Sequence, residues 1–332
     1  MRVLIASIFW TGFGALLFQA QLMPTYLPRL LLWTGLGALL SQYRVMPAHV
    51  SKLLGRSLYW FGVPLQIFML VHRSGFSQAV WLSPVIMGLV LVVGFGIAGL
   101  ILNLKPLILK KSGHQIVHGQ SGSYILASIL GNVSFVGLSV VPTLVHPDYW
   151  GWIALYSVAH TMLGSYGLGI LTASYFGRKH QERSWQAQLR DMLLAPPLWA
   201  FVLGCLTRHL AFPEPLESGL QNLTSFVSFG AFILIGLQLN QIKEVKNLSC
   251  ALIPVILKLL ILPGLLGLWL SLIGVTGDAR LALVLMSGMP TAFANVILAE
   301  EFNLDAQVAT SSILLSTLSF PLATQLWLLL LK

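Results

Sequence analysis

The sequence predicts an all-α polytopic membrane protein: two inverted five-helix repeats with one extra N-terminal helix. Three observations predict this. Of 332 residues, 56% are hydrophobic and 9% charged, against about 25% charged in a soluble domain. Apolar segments of about 20 residues recur, each long enough to cross roughly 30 Å of hydrocarbon. They lack the short alternating pattern of a spanning barrel, which leaves helices, whose backbone groups are satisfied within each segment.

In chain order, helices are expected at about 3–20, 26–43, 55–72, 80–103, 121–145, 150–176, 192–212, 221–240, 249–273, 280–300 and 307–331. The first, MRVLIASIFWTGFGALLFQA, has Arg2 before an apolar stretch. It lacks a small-x-small cleavage site, so it reads as an uncleaved helix. WTGFGALLFQAQLMP (10–24) reappears as WTGLGALLSQYRVMP (33–47). A local duplication therefore places one helix, 1–25, ahead of a ten-helix core. The most polar stretch, GRKHQERSWQAQLRD (177–191), divides that core into 26–176 and 192–332. Five helices per half is odd, so homologous halves would insert in opposite orientations.

Charge supports this alternation. One set of loops carries Arg44, Lys52, Arg56, Lys105, Lys110, Lys111, Arg178, Lys179, Arg183, Arg190, Lys243 and Lys246. The opposite set carries Arg29, Arg73, Arg208 and Arg280. Positive-inside bias puts the richer set, with the large loops, in the cytoplasm and Lys332 outside. The net charge of +9 is thus a topology signal and not a nucleic-acid footprint. The expected setting is the plasma membrane, with the lipid bilayer as partner and a homodimer left open.

Polar residues inside the spans are the candidate site. GNVSFVGLSVVP (131–142) puts Gly131, Asn132, Ser134, Gly137, Ser139 and Pro142 at mid-depth. LMSGMPTAFANVILAE puts Ser287, Gly288, Pro290, Thr291 and Asn295 there. Both interrupt the fourth helix of their half. Freed backbone groups survive at that depth only where protein or water satisfies them. Paired breaks of this kind are the sequence pointer to a transporter's binding site. Close helix packing by small residues is the plainer alternative for either one alone.

Lys258 lies far from either end of its apolar span, where an ionisable group costs about 2.5–3.5 kcal/mol on insertion scales and defaults to a functional reading. All ten acidic residues fall in loops or at helix ends. A cation without a carboxylate partner, beside half-helix N-termini, points to an anion. His160, also mid-span, is a candidate for proton coupling, with a hydrogen-bonded core histidine as the alternative. His114 and His118 read as solvated loop residues, and Cys205 and Cys250 indicate neither a disulfide framework nor a metal site. No Walker A, HExxH or mid-membrane aspartate pair occurs. No enzyme activity, cofactor or metal is expected.

These segments carry a family likeness. GNVSFVGLSVVP resembles the Gly-Asn-Thr-x-aromatic-x-Gly-x-Pro element of the auxin efflux carrier family of membrane transporters. LKLLILPGLLGL (257–268) resembles its lysine-bearing helix, and SGMPTAFANVILAEEFNLD (287–305) its Met-Pro element. YRVMPAHVSKLLGRSLYWFGVPLQIF (43–68) resembles its first loop and second helix. The likeness runs from about residue 28 to the end. It implies that the broken helices cross near the midplane, and that one group of helices slides against a scaffold to give alternating access. It implies organic-anion substrates, with Asn132, Lys258 and Pro290 as site residues and Gly131, Gly137 and Thr291 beside them. The chain departs from the element at Val133, where the family has Thr, and at Ser139, where it has Pro.

The expected function is therefore a secondary, efflux-type carrier of a small organic anion such as a carboxylate. Substrate contacts are expected at Gly131, Asn132, Ser134, Gly137, Lys258, Pro290, Thr291 and Asn295. A passive anion or solute channel is one alternative. A non-transporting membrane receptor that keeps the fold is another.

Overall fold

The computed structural model describes residues 26–43, 45–46, 48–75, 78–108, 118–177, 185–241 and 248–332. The extra helix at 1–25 lies outside the described residues. So do Arg44, Lys110, Lys111, Arg178, Lys179, Arg183, Lys243 and Lys246, half of the charges on which the topology argument rests, and His114.

Among the described residues every regular element is helical. Helix α1 is Tyr26–Gln42. Helix α2 runs Ala48–Ser57, passes through a π-helical turn at Leu58–Gly62, and resumes at Val63–His72. Helix α3 is Leu82–Ile108. Helix α4 is His118–Ile129. After a break, α5 comprises the π turn Val133–Gly137, Leu138–Val140 and the 3-10 turn Val141–Thr143. Helix α6 combines Trp150–Ala159, π-helical His160–Gly169 and Ile170–Phe176.

Helix α7 is Trp185–Leu193, α8 is Pro196–Thr207 and α9 is Glu214–Gln241. Helix α10 combines Ser249–Ile256, a π turn at Leu257–Ile261, and Leu262–Leu272. Helix α11, Gly277–Ser287, is separated by a break from α12, Ala294–Glu301, and α13 is Ala306–Leu331.

Prolines explain two of the π turns. Pro64 and Pro263 each follow a five-residue π turn by two positions. Proline has no N–H for the carbonyl four residues earlier, and local widening is one way to accommodate that. At Pro263 the freed carbonyl belongs to Leu259, and the Trp327 indole N–H of α13 donates to it at 3.0 Å.

Five described helical stretches are long and apolar enough to cross a bilayer unaided: His49–His72, Ala79–Leu104, Glu214–Asn240, Ser249–Leu272 and Ala306–Leu331. The bent pair of α7 and α8, 43° apart, makes a sixth. This is an all-α, multi-pass membrane protein. Exposed leucines such as Leu268, Leu272, Leu329 and Leu330 along these helices meet acyl chains at no desolvation cost.

The element bounds depart from the sequence reading in several places, among them α9, which begins at Glu214, seven residues before the expected 221. Helix α2 begins at Ala48, seven residues earlier than expected. Part of the polar stretch 177–191 is helical as α7, because Leu189, Met192 and Leu193 share its polar sequence. The spans expected at 121–145 and 280–300 are each two helices, α4 with α5 and α11 with α12.

Packing sorts the helices into two groups. Helix α1 lies along α9, and α8 lies along α2. The α1–α9 seam is backbone against backbone. A Cβ on Gly37 would fall on the Ile233 carbonyl, and one on Gly236 on the Thr34 carbonyl. Helices α3, α4, α6, α10, α11 and α13 pack with one another. Helix α2 touches α6, and α9 touches α5, joining the groups.

Candidate functional site

The two breaks meet. Gly131 and Thr291 face each other as an isolated antiparallel bridge. The Asn132 N–H donates to the Pro290 carbonyl at 2.7 Å, and the Ala292 N–H donates to the Leu130 carbonyl at 3.0 Å. Each interrupted strand of backbone thus satisfies the other, which apolar surroundings require.

Side chains from three more helices complete the accounting. The Gly131 N–H donates to His160 Nε2 of α6 at 3.3 Å, so that ring nitrogen is the acceptor. The Thr291 N–H donates to Ser316 Oγ of α13 at 3.0 Å. Thr291 Oγ1 donates to the Ala127 carbonyl of α4 at 3.1 Å. Asn295 Nδ2 reaches the Leu130 carbonyl at 3.5 Å. Asn132 Oδ1 accepts from the Phe135 N–H at 3.3 Å and so caps α5, the usual role of asparagine at a helix N-terminus.

Lys258 sits against this crossing with 1% of its surface exposed. Its Nζ donates to the Ile129 carbonyl at 3.2 Å and to the Ser287 carbonyl at 2.8 Å. These are the last residues of α4 and α11. One ammonium therefore closes the C-termini of both inner half-helices, where unpaired carbonyls concentrate negative potential. The π turn at Leu257–Ile261 contains this lysine. A Cβ at Gly131 would lie 2.8 Å from Lys258 Cε and 2.9 Å from Nζ, so any larger residue there would displace the lysine from its position.

Of the expected contacts, Gly131, Asn132, Lys258, Pro290, Thr291, Asn295 and His160 come together at the crossing. Ser134 lies beside it, with its Oγ 3.4 Å from Ser157 Oγ. Gly137 gives room to Met286, whose Sδ would be 2.9 Å from a Cβ. His118 is exposed, with its Nδ1 3.2 Å from the Phe176 carbonyl. The charge reading of Lys258 needs revision in one respect: its described partners are carbonyls of its own chain. With the negative helix ends neutralised, the N-termini of α5 and α12 remain at the crossing, and no acidic side chain is hydrogen-bonded there among the described residues.

A cavity of ≈ 340 Å³ is bounded by α1, α2, α5, α6 and α9. It reaches the second half of the broken span through Leu138, Ser139, Pro142 and Thr143. Its polar lining includes Arg29, Gln66, Arg73, Ser139 and Ser228, and no acidic residue lines it. Gln66 Nε2 donates to Ser228 Oγ at 2.9 Å and to Ser139 Oγ at 3.3 Å. Arg73 pairs with Glu217 at 3.3 Å and stands 5.6 Å from the Trp150 ring centre. Sequence reasoning passed over Gln66 and Ser228 and read Arg29 and Arg73 only as topology markers. A lone glutamine within VPLQIFML was the available signal.

Residues 177–328 match the family described as "Membrane transport protein". An uncharacterized transporter of Methanocaldococcus jannaschii is 24% identical over 281 residues, covering 83% of this chain and 88% of the relative.

Proposed function

We propose that the chain is a member of the auxin efflux carrier family, in keeping with the match of residues 177–328 to a membrane transport protein family and with its transporter relative, and that it is a secondary carrier of a small organic anion. It works by alternating access, with an elevator-like slide of one helix group against the other. The observation that carries the anion reading is the cavity beside α5: ≈ 340 Å³ of space lined by Arg29, which makes no ion pair among the described residues, and by Arg73, already paired with Glu217, with no acidic residue in the lining. A cleft lined by one sign of charge with low-dielectric walls concentrates the opposite charge.

The crossing supports the carrier reading. Asn132, Pro290 and Thr291 hold the two breaks together, Lys258 locks the inner helix ends, and the ligand is taken between this unit and α1, α2 and α9. The pairing of α1 with α9 and of α8 with α2 is what an inverted repeat of 26–176 and 192–332 requires, since the two contacts exchange under it. The plasma membrane is the expected setting, with the Arg29 and Arg73 end outward.

The test is uptake of radiolabelled carboxylates into vesicles holding the purified protein, with Arg29→Gln alongside. Saturable uptake that Arg29→Gln weakens supports the reading. Conductance far above carrier turnover in a bilayer recording would favour a passive anion or solute channel. Binding without uptake would favour a receptor.

A further inference from the structure

We propose that α7 docks on an anionic lipid leaflet: its exposed leucines enter the membrane interface, and the basic segment that precedes it holds the headgroups. This surface lies away from the crossing and from the cavity beside α5.

The sequence of the helix sets its level. Helix α7, WQAQLRDML, puts Gln186, Gln188, Arg190 and Asp191 among apolar residues within nine positions. That is too polar to cross hydrocarbon by itself, and it is the composition of a helix that lies along a membrane surface. Its neighbours agree. It sits between the end of α6 at Phe176 and the start of α8 at Pro196, and it bends 43° away from α8.

Packing leaves one face free. Inward, Gln188 Nε2 donates to the Tyr166 carbonyl in the π-helical part of α6, and Met192 packs against the core. Outward, Leu189 and Leu193, one turn apart, are 44% and 53% exposed, and Leu194 follows at 62%. This face runs on into the exposed stripe of α8 formed by Trp199, Leu203 and Leu206, which meets acyl chains. The Trp199 indole N–H donates to the Leu193 carbonyl at 2.8 Å, and tryptophans of this kind gather at the membrane–water boundary. Continuity with a lipid-facing stripe favours lipid over a protein partner.

Charge selects the lipid. Within α7, Arg190 Nη2 lies 3.4 Å from Asp191 Oδ1, so the helix itself is balanced. The segment just before it, 178–184, carries Arg178, Lys179 and Arg183 against Glu182 alone, three positive charges less one negative, a surplus of two. Basic residues beside a span attract anionic headgroups.

The test reads the surroundings of α7 in the full chain in nanodiscs. Cys205 and Cys250 are replaced by alanine, and a bimane label is placed on Leu189→Cys or, in a second protein, on Leu193→Cys. The nanodiscs hold an equal fraction of phosphatidylcholine or of phosphatidylglycerol that is spin-labelled near the top of the acyl chain. Both lipids should quench the label, phosphatidylglycerol about twofold or more strongly, as attraction of anionic headgroups to the basic segment requires. Replacing Arg178, Lys179 and Arg183 together by glutamine should make the two lipids equal and leave the phosphatidylcholine quenching in place. Quenching by aqueous iodide with none by either lipid, at both positions, overturns the docking and favours a protein partner instead. Equal quenching by the two lipids before the basic residues are replaced overturns the anionic assignment, as does a difference that survives their replacement. The measurement needs no transport, so its failure leaves the carrier reading untouched.

Discussion

Replacing Lys258 by methionine separates two roles for a buried ammonium. In the structure it closes α4 and α11 through the Ile129 and Ser287 carbonyls, at 3.2 and 2.8 Å. Methionine keeps the volume and leaves no stray charge, so the loss is that of two buried acceptors. Each unsatisfied group costs about 1–3 kcal/mol. The low end for both, about 2 kcal/mol, corresponds to a midpoint roughly 4–8 °C lower, taking about 2–4 °C per kcal/mol for a chain of over 150 residues. Lys258→Gln, which still donates from its amide, should recover about half of this. Thermal unfolding of the detergent-solubilised protein measures the shift, and vesicle uptake is measured in parallel well below the midpoint. A Lys258→Met protein that melts normally yet has lost uptake would refute the capping argument. The ammonium would then be a substrate contact, and its two carbonyl bonds incidental.

The same unfolding assay checks three further changes. Gly131→Ala should destabilise by about 1–3 kcal/mol, the usual cost of overpacking, since its Cβ would press on Lys258 Cε and Nζ at 2.8 and 2.9 Å. Thr291→Val removes the 3.1 Å bond to the Ala127 carbonyl and should cost about 1 kcal/mol. Gly236→Ala drives a methyl into the backbone of Thr34 and, at 2.7 Å, towards Ala38 N. It should cost about 3 kcal/mol or more, felt as loosening of α1 from α9. An unchanged midpoint for Gly236→Ala would mean that the seam is not closely packed in the bilayer.

The breaks were legible because Asn, Gly and Pro cannot sit inside a span without a reason. Their position was less so. GNVSFVGLSVVP suggested interruption anywhere up to Pro142, whereas the chain breaks at 130–132 and Pro142 sits within the closing 3-10 turn of α5. Asn132 decides this, since its side chain can cap a new helix start. That Lys258 had partners was inferable from its depth. That they were carbonyls was not, because Ile129 is 129 residues away in sequence. Gln66, Ser139 and Ser228 converge only once α2, α5 and α9 are packed, and isolated polar residues in apolar spans do not announce a common site. The repeated WTG segment at 10–24 stays an expectation, outside the described residues.

The hydrogen bonds of the crossing close on themselves. Their partners come from α4 (Ala127, Ile129), α6 (His160), α10 (Lys258), α11 (Ser287) and α13 (Ser316), and from the two breaks. Among the described residues, none of these hydrogen bonds comes from α1, α2, α8 or α9. Those helices meet the other group through separate contacts: Gln66 with Ser139, Arg73 with Trp150, and a 2.7 Å bond between the Tyr59 and Tyr166 hydroxyls. The Tyr166 carbonyl also accepts from Gln188 Nε2 of α7. A slide between the groups could therefore exchange the second set of contacts while the first stays intact, with no buried backbone group stripped of its partner on the way. Hydrogen exchange in nanodiscs tests this. The amides of Gly131, Asn132, Thr291 and Ala292 should stay protected whether or not a transported carboxylate is present. Tyr59→Phe with Ser139→Ala should alter uptake rate with less effect on melting than Thr291→Val. Ligand-induced exposure of the four crossing amides would show instead that the crossing opens during the cycle, and the two-group motion would be the wrong description.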